Sequence, residues 1–210
     1  MPTFIKWAGG KTQLIEQFKP LFPKRIERYF EPMVGSGAVF FYIKQKYRPE
    51  YCMIADINKE LINTYEAVRD DVVELIERLN EHKKNHSAHY FYEKRKEYNE
   101  TKDKLKRSSL FIYLNKSCFN GLYRVNSKGE FNVPFGKYKN PSIAQEEKLK
   151  AASRLLQEVE IRAIPFEKAL PFAGAGDFVY FDPPYLPLSA TSSFTNYHNE
   201  LFREERQKAL

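Results

Sequence analysis

Hydrophobic positions along the chain switch between two spacings, and the switches predict an alternating order of strands and helices. Residues 3–6 read as a short strand that runs into a glycine turn at Ala8-Gly9-Gly10. Behind it, Leu14, Ile15 and Phe18 share one helical face. Residues 28–32 read as a strand, and Gly35-Ser36-Gly37 turns it into an apolar helix carrying Phe40, Phe41 and Ile43. Residues 51–55 give the next strand, which ends at Asp56-Ile57-Asn58, with Asn58 placed to cap the helix after it. Two amphipathic helices follow, one through Leu61, Ile62, Tyr65 and Val68, the other through Val72, Val73, Ile76 and Leu79. Residues 81–103 are polar and helical, anchored by Tyr90, Phe91 and Tyr92, and residues 105–114 make a further helix. Residues 119–139 alternate as a β-hairpin around Ser127-Lys128-Gly129. A helix at 146–156 and strands at 159–164 and 177–181 complete the pattern. This order predicts an α/β nucleotide-binding sheet built from residues 1–58 and 157–210, interrupted by a helical and hairpin insertion over 59–156.

Composition narrows the class. The chain has 210 residues, enough for one domain with an insertion, and its 15% aromatic content argues against disorder. No apolar run reaches the length of a membrane span, and the N-terminus lacks a secretory pattern, so a cytoplasmic protein is expected. Cys52 and Cys118 stand far apart and form no CxxC pair, so neither a disulfide framework nor a metal site is expected. The net charge of +7 is localised. Residues 101–140 hold nine Lys/Arg against Asp103 and Glu130, which is already +7, so the rest of the chain sums to zero. Such a segment is the footprint of a nucleic-acid partner.

The chemistry gathers at the ends of the predicted strands, where ligands of open α/β sheets bind. Asp182-Pro183-Pro184-Tyr185 closes the apolar run 178–181. It offers a carboxylate, a rigid carbonyl at Pro183 and an aromatic plate at Tyr185, a set that suits a flat base bearing an exocyclic amine. Two acceptors on one amine draw its lone pair out of conjugation and make it nucleophilic. Gly35-Ser36-Gly37 is a strand-to-helix turn, and Asp56 ends the next strand about 20 residues on, where dinucleotide-binding folds place the acid that grips ribose hydroxyls. The third glycine of that fingerprint is absent, since position 40 is Phe, which favours a smaller nucleoside ligand such as S-adenosylmethionine. Gly10-Lys11-Thr12 echoes a P-loop, but Ile5 stands where its first glycine belongs. In the hairpin, Arg124 is a natural bidentate reader of guanine, Asn120 and Asn132 offer amide contacts, and Pro134 implies an exposed edge.

These pieces together resemble the DNA adenine methyltransferase (Dam) family, the D12 class of adenine-specific amino-methyltransferases. The resemblance rests on Lys6-Trp7-Ala8-Gly9-Gly10-Lys11, Phe30-Glu31-Pro32 through Gly37, Asp56-Ile57-Asn58, Phe119 through Asn126, Gly129 through Gly136, and Asp182 through Tyr185. It implies a Rossmann-like, S-adenosylmethionine-dependent enzyme that flips adenine out of duplex DNA and methylates its exocyclic amine, with a hairpin close to those that read GATC. Carried over by position, Trp7, Ala8, Gly9, Lys11, Glu31, Pro32, Ser36, Gly37, Asp56, Phe166 and Asp182 line the cofactor site, and Asp182, Pro183, Pro184 and Tyr185 hold the target base. Lys6, Asn120, Arg124, Pro134 and Tyr138 meet DNA, and Phe119 stands where relatives insert an aromatic wedge. The implied partners are double-stranded DNA and a cognate restriction endonuclease, with the chain acting as a monomer. Two departures stand out. Pro165 replaces an Asp that relatives direct at the cofactor adenine, and the C-terminal part is expected to be incomplete beside relatives that run on past this point. The rival readings are a related enzyme acting on cytosine or amide nitrogens, a catalytically impaired DNA-binding remnant, and an ATP-dependent DNA-binding protein.

Overall fold

The structure is a computed structural model, and it describes residues 1–183. Four strands form one parallel sheet: β1 (Arg28–Glu31), β2 (Tyr51–Ala55), β3 (Val159–Arg162) and β4 (Phe178–Val179), in the order β3-β2-β1-β4. Phe30 of β1 lies opposite Met53 of β2 and Val179 of β4, and Ile54 of β2 opposite Ile161 of β3. The order reverses at β1, so its carboxyl end sits at the crevice where open α/β sheets bind ligands. Strand β4 is shorter than the apolar run suggests, although the Tyr180 N–H still donates to the Phe30 carbonyl at 2.9 Å.

The helices follow the apolar periodicity. In chain order they are α1 (Ile15–Phe18), α2 (Ala38–Lys46), α3 (Lys59–Asp70), α4 (Val72–Lys84), α5 (Ala88–Glu100), α6 (Lys104–Ser117), α7 (Glu146–Leu156) and α8 (Phe166–Ala169). Asn58 caps α3 as expected, its Oδ1 accepting from Glu60 N–H at 3.0 Å and Leu61 N–H at 3.1 Å. Such a cap is worth about 1 kcal/mol. Leu61, Ile62, Tyr65 and Val68 of α3 are all buried. Val73 departs from the expected face and is 65% exposed. The polar stretch after α4 breaks where Ser87 caps α5 by accepting from Tyr90 N–H at 3.1 Å. Asp103 starts α6 in the same way, accepting from Lys106 N–H at 3.0 Å.

Two expected β elements are replaced by side-chain amides. Residues 3–6 are not a strand, although Phe4 and Ile5 are buried. Asn115 of α6 takes both the N–H and the carbonyl of Lys6, each at 2.8 Å, and so supplies the pairing a neighbouring strand would. The 119–139 segment keeps a hairpin course but forms no continuous ladder. It has isolated antiparallel bridges at Val125–Phe131 and Cys118–Phe135, with a 3-10 turn at Phe119–Gly121. Asn99 of α5 clamps Phe131 as Asn115 clamps Lys6: it donates to the Phe131 carbonyl at 3.2 Å and accepts from its N–H at 2.8 Å. The helix expected around Leu14, Ile15 and Phe18 is a single turn, ended by a 3-10 turn that contains Pro20. One hydrophobic cluster runs from β1 and β2 through α2, α3, α4 and α6 to Phe131 and Val133 of the hairpin.

Candidate active site

Strand β1 delivers Glu31 to the crevice, and the turn after it is built around two glycines. Gly35 (φ +49°) and Gly37 (φ +68°) both sit in the left-handed region, which costs an L side chain energy. A Cβ on Gly35 would stand 2.8 Å from Trp7 Cδ1, and one on Gly37 would stand 2.6 Å from the Tyr65 hydroxyl. Close packing against Trp7 and Tyr65 is therefore reason enough for both glycines. Tyr65 also donates to the Gly35 carbonyl at 2.9 Å, and Val34 N–H donates to the Ala55 carbonyl at 2.9 Å. Asp56 ties the turns together: Oδ2 accepts from Gly35 N–H at 3.2 Å and Oδ1 from Asn58 N–H at 2.9 Å.

The charged groups converge from three segments. Lys11 is 6% exposed, and its Nζ donates to the Gly9 carbonyl at 2.7 Å and to both carboxylate oxygens of Asp182 at 2.5 Å. Glu31 is 3% exposed and accepts from the Tyr29 hydroxyl at 2.6 Å. Burial pushes the Glu31 carboxyl up to about 8, and the Asp182 charge pushes the same way. The Tyr29 bond, the Phe40 N–H in the first turn of α2, and Lys11 pull it back only in part. The chamber thus holds a cation, an anion and an acid whose charge depends on what else is present. Pro32, Ser36 and Gly37 are buried beside Glu31, while Ala8 and Gly9 are exposed at the rim. Phe166 is buried and meets Phe181 edge-on at 6.4 Å, and the Pro165 carbonyl accepts from Lys168 and Ala169 N–H at the start of α8. Pro183 lies half-buried beside Asp182; Pro184 and Tyr185 lie outside the described residues.

The predicted DNA contacts gather along the hairpin and its base. Phe119 is 51% exposed at the base, and Asn120 is held at φ +54°. Arg124 is exposed, its Nε donating to Asn132 Oδ1 at 2.7 Å, so Asn132 steadies the guanidinium. Pro134 is exposed, and its carbonyl accepts from Phe119 N–H at 2.9 Å. The Lys6 ammonium lies 4.6 Å from the centre of the Tyr138 ring. That pair borders a cleft of about 370 Å³ which also takes in Lys116 and Lys148. Lys116 is 7% exposed; burial first, then the charges of Lys148 and Lys6, bring its ammonium down to about 8.

Comparison with known proteins decides the family. The model of the D12 class N6 adenine-specific DNA methyltransferases matches residues 7–210. The chain belongs to this family. It is 46% identical to the type II methyltransferase M.MjaIII of Methanocaldococcus jannaschii, over 99% of this chain and 77% of that protein. It is 43% identical to the type II methyltransferase M1.LlaDCHI of Lactococcus lactis subsp. cremoris, over 99% of this chain and 74% of that one. It is 39% identical to the DNA adenine methylase of Escherichia coli K12, over 99% and 73% respectively. Its substrate is DNA, its reaction is methyl transfer to adenine, and it needs a methyl donor. Among the described residues no helix is long and apolar enough to cross a membrane, and no cluster of His, Cys, Asp and Glu is placed to hold a metal.

Within this family frame, sequence reasoning passed over several residues that shape the site. Tyr29 stands two residues before Glu31 on a strand, hence on the same face, and that spacing was the available signal. Tyr65 had a place in the core pattern of α3, but its reach to Gly35 is a tertiary contact. Lys116 carried a signal too, a lysine at the end of the apolar run of α6.

Proposed function

We propose that this chain transfers the methyl group of S-adenosylmethionine to the exocyclic amine of an adenine flipped out of duplex DNA, within GATC. The observation that carries this reading is the chamber at the carboxyl end of β1, where Lys11, Asp182 and Glu31 meet beside the glycine turn. The donor set suits that cofactor. The chamber carboxyls match a sulfonium and an ammonium, and Lys11 matches a carboxylate. Asp56 stands directly after β2 beside the glycine turn, where folds of this kind place the acid that takes ribose hydroxyls. Trp7 and Phe166 supply apolar walls for the adenine ring of the cofactor. When bound, the cofactor supplies an electrophilic methyl group.

The protein's part is to position the attacking nitrogen. Asp182 and the Pro183 carbonyl accept the two N–H bonds of the adenine amine and aim its lone pair. Lys11 bonds Asp182 through both oxygens and fixes the direction of the carboxylate. The amine becomes acidic only as the new N–C bond forms, so Asp182 need not be a strong base to receive the departing proton. Most of the rate gain in such a site comes from alignment and fixed charge. Residues 59–156 carry the reading of DNA, with Arg124 directed at a guanine and Phe119 filling the stack the flipped base vacates. Flipping costs a few kcal/mol, which the wedge and pocket stacking offset. The type II names of two relatives support a role beside a restriction endonuclease of the same target.

The test is transfer of labelled methyl from S-adenosylmethionine to a GATC duplex by the wild type and by Asp182→Ala. The variant should lose transfer while keeping DNA binding; near-normal transfer would remove Asp182 from the reaction.

A further inference from the structure

The hairpin and the cofactor chamber are joined by one side chain that the reaction itself does not use. Tyr123 precedes Arg124, and its ring stacks on Trp7 with centroids 5.8 Å apart and planes 26° from parallel. The other sides of the ring meet Phe111 of α6 at 5.4 Å and Phe131 of the opposing hairpin arm at 5.9 Å. Trp7 in turn lies against Gly35, so close that no side chain fits between them. Gly35 N–H donates to Asp56 Oδ2 at 3.2 Å, so the line of contacts from Tyr123 through Trp7 and the glycine turn ends at the Asp56 carboxylate. One residue beside the proposed base reader therefore packs on the Trp7 wall, and Trp7 packs on the turn that Asp56 holds.

We propose that Tyr123 is a positioning residue that couples target reading to cofactor binding: DNA held by the hairpin seats the Tyr123 ring, which orders Trp7 against the glycine turn. The proposal rests on the methyltransferase reading above. The physical basis is a stiff chain of packed aromatic rings with backbone on each side. Arg124 is exposed and held by Asn132 in the free protein, so engaging a base moves the residue next to Tyr123. The Arg124 arm meets the opposing arm through an isolated bridge at Val125–Phe131, without a continuous ladder, which leaves it room to shift while Asn99 holds Phe131 in place. Coupling between two ligands is reciprocal, so any gain in cofactor affinity from DNA equals the gain in DNA affinity from cofactor.

Trp7 is the sole tryptophan of the chain and serves as its own reporter. Calorimetry of S-adenosylhomocysteine is run on the wild type, Tyr123→Phe and Tyr123→Leu, each alone, with a GATC duplex, and with a scrambled duplex. In the wild type, GATC should tighten binding about fivefold or more, in the usual range of coupling, and the scrambled duplex should not. Tyr123→Phe should keep that ratio. Tyr123→Leu should bring it close to one. Trp7 emission, excited selectively, should change when GATC duplex is added to wild type and to Tyr123→Phe without cofactor, and should stay unchanged in Tyr123→Leu. A wild-type ratio of one, or an undiminished ratio in Tyr123→Leu, overturns the coupling and leaves the proposed function standing. Should Tyr123→Leu fail to fold by circular dichroism, the wild-type emission decides: a silent Trp7 overturns the proposal. A wild type that binds neither S-adenosylhomocysteine nor duplex overturns the methyltransferase reading and this inference with it.

Discussion

Replacing Glu31 with Gln isolates the consequence of burying an acid in the chamber. Folding raises the Glu31 carboxyl from 4.5 to about 8. Between those values the folded state holds a proton that the unfolded state has released. Stability therefore falls as pH rises across that window and levels off above it. A rise of 3.5 units, at about 1.4 kcal/mol each, sets a ceiling of about 5 kcal/mol on the loss. Gln does not ionise, and its Oε1 can still accept from the Tyr29 hydroxyl. Glu31→Gln should thus match the wild type near pH 5 and exceed it by several kcal/mol at pH 9. Urea unfolding at pH 5, 7 and 9 reads the difference as a shift in midpoint at constant slope. Parallel curves for the two proteins would refute the argument, because they would place the ionised carboxylate comfortably inside the folded protein. The same physics bears on ligand binding. The proposed cofactor brings two positive charges beside Glu31, so its binding at pH 7 should release close to one proton. Calorimetry in buffers of differing ionisation enthalpy counts that proton.

Arg124→Ala should weaken binding to a GATC duplex by about 1–3 kcal/mol and relax preference at one guanine; a uniform loss over all single-base variants would make Arg124 a phosphate contact. His82 tests the acid side. It is packed on Tyr113 at 5.0 Å and bonded to the Tyr90 hydroxyl at 2.8 Å, and burial, helped by Lys94, lowers it from 6.5 to about 4. A depressed base loses stability as pH falls from the unfolded value toward the folded one, here up to about 3 kcal/mol. His82→Phe should show a flatter stability curve between pH 6.5 and pH 4, and an unchanged slope would contradict the burial argument.

The strands β1 and β2, the Asn58 cap and the buried face of α3 were legible because each is written in a few neighbouring residues. The segment at residues 3–6 misled for a physical reason. It has a strand's pattern of burial, yet its pairing partner is a side chain 109 positions away. The hairpin misled in the same way, since Asn99 takes the bonds that a further strand would make. In the site, the glycine turn was visible in outline. What was not visible is that Trp7 and Tyr65 alone already demand those glycines. The Lys11–Asp182 pair spans 171 positions, and only the resemblance to a family placed both residues in one site. The raised Glu31 follows from the closing of the chamber around it, which no window of sequence contains.

The hydrophobic cluster that runs unbroken from the sheet into the hairpin constrains how a protein of this kind acquires a new target. The segment proposed to read DNA is not a detachable cartridge. Exchanging it wholesale would cut through Phe111, Phe131 and the packing beneath Trp7. Point changes at exposed positions such as Arg124, Lys128 and Glu130 are the ones that leave the shared interior untouched.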